Sequence, residues 1–445
     1  MAEITWVNHA SFVLEQGQVG LMCDLWIEGS VFNNGWNLLS PTRWSYEDFR
    51  SLTHIWFSHE HPDHFSPPNL QKIPEDVRGR LEVLYQATKD RKVLDYCRKL
   101  GFRTRELRPF EWTDIGESIR IKCGPFLPYD SWILIDVPGF RILNLNDCQV
   151  KNPAIAQDLL KQVGPIDVLL SQFSYACWVG NPDELESRRE AGQRCLRQLS
   201  YQIDAFRPKY YIPSASFILF SHEENCYLND SINRVDAVVQ FLKSRTSLKV
   251  LPMYPGEKWV VGAEHDGSEA LRKYNEDYER GNVSLHESES VAWTDLEQVA
   301  IKHLAKLKTR NNWLFVRLAA LPPVRLFCRV TVFVTDYDQA VRFDIFRGIE
   351  RAPGVTAAEA DIVMSSASLA FVLKNDFGFD TLYVNACFRA SQEGFERFER
   401  SVSLALLNNT GREFGPALLF DPAFFYKAVS HFFPWIRAGL RWRSS

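Results

Sequence analysis

The chain has 445 residues, 46% hydrophobic and 24% charged, a balance that excludes a disordered or fibrous polymer and leaves room for two or three domains with large cores. Lys and Arg number 51 against 55 Asp and Glu, a formal charge of −4. No global positive field therefore exists to hold a nucleic-acid backbone, and only a local basic patch could attract anions. Apolar stretches such as Ala319–Phe327, broken by Pro322, Pro323 and Arg325, fall well short of the ~20 residues of a membrane-spanning helix, so no transmembrane segment is expected. The opening MAEITWVNHASFVL lacks the charged, apolar and small-residue regions of a secretory signal, and a cytoplasmic location is expected. Nine scattered cysteines with no C-x-x-C pair fit reduced thiols and give little support to a cysteine-ligated metal.

In chain order, apolar or alternating runs predict strands at Ile4–Val7, Ser11–Leu14, Val19–Cys23, His54–Phe57, Leu81–Tyr85, Ile119–Lys122, Trp132–Asp136, Arg141–Asn144, Val168–Ser171 and Tyr210–Ile212. Helical patterns fall at Lys89–Leu100, Asn152–Lys161, Pro182–Phe206 and Asn229–Ser244. Strands interleaved with helices over residues 1–262 indicate a layered α/β domain. Residues 263–290 are charged and rich in Gly and Ser, and are expected to form a linker. Residues 291–445 read as a smaller α+β domain of unassigned role. It has helices at Leu296–Lys308 and Ser391–Asn409, and strands at Arg325–Thr335, Val341–Phe346 and Thr381–Ala386. The aromatic, basic ending FFYKAVSHFFPWIRAGLRWRSS is expected to be a docked helix rather than a membrane contact, because Pro434 and short length weaken an interfacial helix.

Chemistry concentrates after the run HIWF, where SHEHPDHF places His59, His61, Asp63 and His64 within six residues. Two histidines two apart at a strand end present both imidazoles to one side, within reach of a single metal. Pro62 opens a turn that can offer Asp63 and His64 to a neighbouring ion. Imidazole and carboxylate together suit zinc, iron or manganese.

The segment His59-Glu60-His61-Pro62-Asp63-His64 matches in full the H-x-H-x-D-H signature of the metallo-β-lactamase fold, an αββα sandwich, and the start ITWVNHASFVLEQGQVGLMCDLW resembles that fold's opening hairpin and Asp-containing turn. Within the superfamily the chain resembles the branch containing CMP-N-acetylneuraminate hydroxylase, through DSWILIDVPGFRILNLNDCQV, VLLSQFSYACWVG, FRPKYYIPSASFILFSHEENCYLND and LPMYPGEKW. The resemblance implies a dinuclear site. His59, His61 and a third ligand would hold one metal, Asp63 and His64 the second, and Asp147 would bridge. A bridging anion is what two mutually repelling divalent ions need. Where hydrolases of this fold place another histidine, the matching position is Asp130, since no histidine lies between His64 and His222. A carboxylate there favours iron or manganese over zinc. His222 is the expected last ligand, ahead of His265, with Glu223 and Glu224 as rivals; His9 is expected near the site as an outer partner.

The expected activity is therefore that of a dinuclear iron monooxygenase, in which two ferrous ions reduce dioxygen for attack on a C–H or heteroatom bond. Zinc or manganese are the other candidate metals. The alternative is a metal-dependent hydrolase that opens an ester, lactone or phosphodiester with a metal-bridging hydroxide. Asp63, Asp147 and Tyr175 are the candidate catalytic residues, Tyr175 with Cys177 and Trp178 lying where a strand meets a loop and pockets form. A non-enzymatic scaffold would not need the full ligand set. The hydroxylase branch carries a Rieske iron–sulfur domain, but no cysteine here is followed by x-His or x-x-His. The oxygenase reading thus needs an external ferredoxin or reductase. CMP-sialic acid is not carried over, and the expected substrate is a small molecule, free or carrier-bound.

Overall fold

Successive side chains leave opposite faces of a strand, so an alternating run commits one set of residues to each side of its sheet. The computed structural model describes residues 1–420 except 89, 127–129, 245–247, 282–283 and 323–325. Its first seven-stranded sheet runs in the order Lys258–Val260, Glu3–Asn8, Ser11–Gln16, Val19–Cys23, His54–Trp56, Glu82–Gln86, Arg103–Leu107. One register row joins Phe12, Cys23, Trp56 and Leu84, and the next joins Val13, Met22, Ile55 and Val83. The first row enters the main core. The second packs with Leu70, Val77, Val93 and Leu94 of the helices Pro67–Lys72, Glu75–Arg78 and Lys92–Lys99.

The second sheet, also of seven strands, runs Lys249–Val250, Tyr210–Ser214, Val168–Gln172, Phe140–Asn144, Asp130–Val137, Ile119–Phe126, Trp112–Gly116. Its Trp132, Leu134 and Ile121 share the core with Trp6, Phe12 and Trp56 of the first sheet, and the helices Pro153–Val163, Leu185–Phe206 and Val235–Lys243 add Leu159, Ile203 and Val238. The result is the expected helix–sheet–sheet–helix sandwich. No helix among the described residues is long and apolar enough to cross a membrane.

The chain divides into two units, Met1–His286 and Glu287–Ser445. Residues 263–290 differ from the linker expected of them, because Ser268–Arg280 is a helix. Its Ala270, Tyr274 and Tyr278 recur every four residues and join the core of the first unit, leaving the charges that made the segment look like a linker on the other face. Tyr274 stacks on Phe217 and donates to the Met253 carbonyl.

In the second unit a five-stranded sheet, Gly348–Arg351, Gln339–Asp344, Val330–Val334, Ile362–Met364, Arg389–Ala390, accompanies the helices Trp293–Arg310 and Gln392–Asn409. The strand expected at Thr381–Ala386 is instead part of the helix Gly378–Asn385. A short apolar run does not reveal its own period, and here Phe379 packs against Phe395 and Phe398, a helical contact that the run's β-branched residues conceal. The aromatic, basic ending, 424–445, lies outside the described residues.

Candidate metal centre

The strands Val19–Cys23 and His54–Trp56 are parallel, so Asp24 and Ser58 leave the first sheet at the same edge. Asp24 donates its backbone N–H to the Trp56 carbonyl and accepts from Ser58 N and Oγ through its carboxylate. The chain then folds back, with His64 N and Phe65 N both donating to the His61 carbonyl. In the second sheet the strand that Asp130 opens is antiparallel to the one that Asn144 closes, Ile133 pairing with Asn144, so Asp130 and Asp147 emerge at one edge. His9, Asp24 and Asn146 all take left-handed backbone conformations, with φ of 45°, 54° and 48°. Asn, Asp and His enter that region more readily than other non-glycine residues, so these three turns form without glycine.

These edges bring six of the expected ligands together. His59 Nε2 lies 2.9 Å from His61 Nδ1, 3.7 Å from Asp147 Oδ2 and 3.9 Å from Asp130 Oδ1. His64 Nε2 lies 3.3 Å from Asp63 Oδ2 and 3.5 Å from Asp147 Oδ1. Asp147 thus turns one oxygen toward each histidine group. Two ligands that each sit about 2.1 Å from one ion are about 3.0–3.5 Å apart, close to the separations seen here. His59 and His64 are fully buried and Asp63 nearly so, whereas Asp130 and Asp147 remain partly exposed.

Burial drives the His59 ring down to a pKa of about 3, keeping it neutral with a lone pair to give. Burial pushes His64 the same way, but Asp63, Asp147 and Asp24 outweigh it and hold its pKa well above the ordinary value. Asp63 and Asp147 resist burial for the reciprocal reason, held low by His64 with His9 and by His59 with His64. For Asp130 the attraction of His64 does not compensate, and burial followed by repulsion from Asp147 pushes it up to about 8. Carboxylates this close cannot all ionise without cations among them. Asp63 Oδ1, His64 Nε2 and Asp147 Oδ1 are also buried with no hydrogen-bond partner among the described residues. Each such atom costs about 1–3 kcal/mol if left so, and each is a ligand atom of divalent metals. The donor set fits two such ions.

Two partners orient the set. Asp24, which the sequence reading did not single out, accepts a 2.8 Å hydrogen bond from His64 Nδ1 and is completely buried. A carboxylate on the far nitrogen fixes which imidazole nitrogen faces a metal. His9 Nε2 lies 3.2 Å from Asp63 Oδ2, the outer position expected of it. The one sequence cue to Asp24 was its place in the turn after the opening hairpin.

His222 falls elsewhere. Its Nδ1 accepts from the Glu224 backbone N–H and lies 3.7 Å from the Glu224 carboxylate, and its segment bridges to His286. His265 meets the Pro252 carbonyl. Tyr175 is buried, its hydroxyl donates to the Leu228 carbonyl, and burial raises the phenol far above its usual range. Trp178 is buried also, as aromatic packing requires.

No known family profile matches the chain. It is 24% identical over 251 residues to the cytidine monophosphate-N-acetylneuraminic acid hydroxylase of Danio rerio and 25% identical over 273 residues to that of Xenopus laevis, covering 51% and 57% of this chain and 40% and 44% of theirs. The chain therefore spans less than half the length of these relatives. CmlA, a diiron β-hydroxylase from Streptomyces venezuelae, superposes with a TM-score of 0.43 at 17% identity, over 58% of this chain and 54% of that one. In sequence, then, the chain is similar over about half its length to the CMP-N-acetylneuraminic acid hydroxylases, and its two packed seven-stranded sheets with outer helices are the fold that its H-x-H-x-D-H segment led us to expect.

Proposed function

We propose that the protein is a dinuclear non-heme iron monooxygenase supplied with electrons by a separate ferredoxin or reductase. The observation that carries this reading is Asp130, whose presence in the cluster sets three carboxylates against three histidines. So hard and anionic a set favours iron or manganese over zinc, and the hydroxylase relatives support an oxygenase rather than a hydrolase. His59, His61 and Asp130 would hold one iron, Asp63 and His64 the other, with Asp147 offering an oxygen to each. When bound, the irons supply the reducing electrons and coordination positions that dioxygen activation needs.

The chain's own residues do the rest. Asp24 holds the proton of His64 on Nδ1, so that Nε2 faces inward, and Ser58 Oγ, within 3.0 Å of both Asp24 and His59 Nδ1, ties the two rings to one anchor. His9 restrains Asp63 through Oδ2, the oxygen that also lies nearest His64 Nε2, and Oδ1 stays buried with no hydrogen-bond partner among the described residues. Burial of His59, Asp63 and His64 keeps water from the closed side of the cluster, while the partial exposure of Asp130 and Asp147 marks the side from which a small substrate, free or carrier-bound, approaches. Asp130 must surrender its proton to act as a ligand, so metal binding tightens as pH rises toward about 8.

The second reading, hydrolysis of an ester, lactone or phosphodiester, uses the same side chains with a metal that sharpens the acidity of water. Elemental analysis of protein purified without chelator from an iron-sufficient host separates the two. About two irons per chain, with oxygen uptake on adding a reductant, are expected; zinc in their place overturns the oxygenase. The Asp130→His variant should shift the metal content toward zinc.

A further inference from the structure

The helix Leu185–Phe206 carries its arginines in two ways. Arg188 is buried against Asp230 at 2.7 Å, and Arg189 lies 3.7 Å from Glu186. Arg194 and Arg197, both exposed, have no ion-pair partner among the described residues, and the same is true of Lys151. Arg194, Arg197, Gln198 and Tyr201 are spaced three, four and seven residues apart and so share one face of the helix. Facing them are Gln149 and Lys151, and the six side chains line a groove of about 420 Å³. That volume lies within the range of about 300–1,000 Å³ usual for small-ligand sites.

Three uncompensated cations converge here in a protein whose formal charge is −4. Two guanidinium forks match the paired oxygens of a phosphate or sulfate, and the amides of Gln149 and Gln198 with the Tyr201 hydroxyl offer neutral donors around them. Gln149 follows Asp147 by two residues, which limits the separation of their backbones to about 7 Å. The groove shares no lining residue with the metal cluster.

We propose that this groove is a binding site for a doubly charged oxyanion of the phosphate class, either free phosphate or the phosphate of an organic ester. The site is independent of which metals the cluster holds. Isothermal titration of the full-length protein, carrying its metals, with inorganic phosphate at low ionic strength tests it. Saturable binding is expected in the unsubstituted protein, weakened about tenfold or more in the Arg194→Gln/Arg197→Gln double variant, with metal content and circular dichroism unchanged. Lys151→Gln, on an exposed loop, should weaken binding in the same sense and serves where the double variant fails to fold. Glycerol phosphate binding more tightly than inorganic phosphate identifies an ester as the ligand; equal affinity identifies free phosphate. Undiminished phosphate binding in folded variants would assign the anion to the metal cluster and overturn the proposal, as would the lack of saturable binding.

Discussion

Two histidine-bearing segments make an instructive pair, His59–His64 and Ser221–Glu224. Both follow apolar runs, and each was expected to furnish ligands. The first is oriented by groups from neighbouring strands: Asp24 on His64, Ser58 between Asp24 and His59, and His9 on Asp63. The second is tied to remote chain by its backbone, through Gly35 and His286, while its histidine ring accepts from the Glu224 N–H within its own turn. Neighbouring strands can aim a ring at a shared point; a local turn satisfies the ring where it stands. The ring contacts differ in kind: His64 meets a buried carboxylate from another strand, His222 a backbone N–H of its own turn.

Substitutions can break or sharpen that contrast. Asp147 is the point where the two ligand groups meet, so Asp147→Ala should remove at least one ion per chain and with it the activity; a variant that keeps its full metal content by elemental analysis would refute the shared carboxylate. Asp24→Ala removes no proposed ligand but strips His64 and Ser58 of their partner. Metal affinity should fall roughly 10–100-fold, and stability by about 2 kcal/mol, read by metal titration and urea denaturation; unchanged affinity would mean that Asp24 does not position His64. His222→Ala should have the smallest effect, with metal content unaltered and at most about 1 kcal/mol of stability lost with its turn. Loss of an ion in that variant would erase the contrast and restore His222 to the ligand set.

The parts of the fold legible in the sequence are those with local periodicity. The opening strands are short apolar runs buried on both faces, and their alternate residues divide between the two cores. Four ligands packed into six residues announce themselves for the same reason, since the chain itself brings them together. What escaped depends on partners remote in sequence. Asp24 acquires its role from His64, forty positions away, and nothing in its own neighbourhood encodes that meeting. The helix Ser268–Arg280 was hidden by charge, because the face turned away from the core that Tyr274 enters carries Glu269, Arg272, Glu276 and Arg280. Thr381–Ala386 misled in the opposite sense, its β-branched residues favouring a strand until Phe379 met the aromatic face of another helix.

The two oxygens of Asp147, turned toward different histidine groups, bear on the order in which the centre assembles. Whichever ion arrives first immobilises the carboxylate and removes that entropic cost for its successor. If the centre takes two ions as proposed, their filling is cooperative to the extent that this saving exceeds the repulsion between them, and chains loaded with one ion are then few at limiting metal.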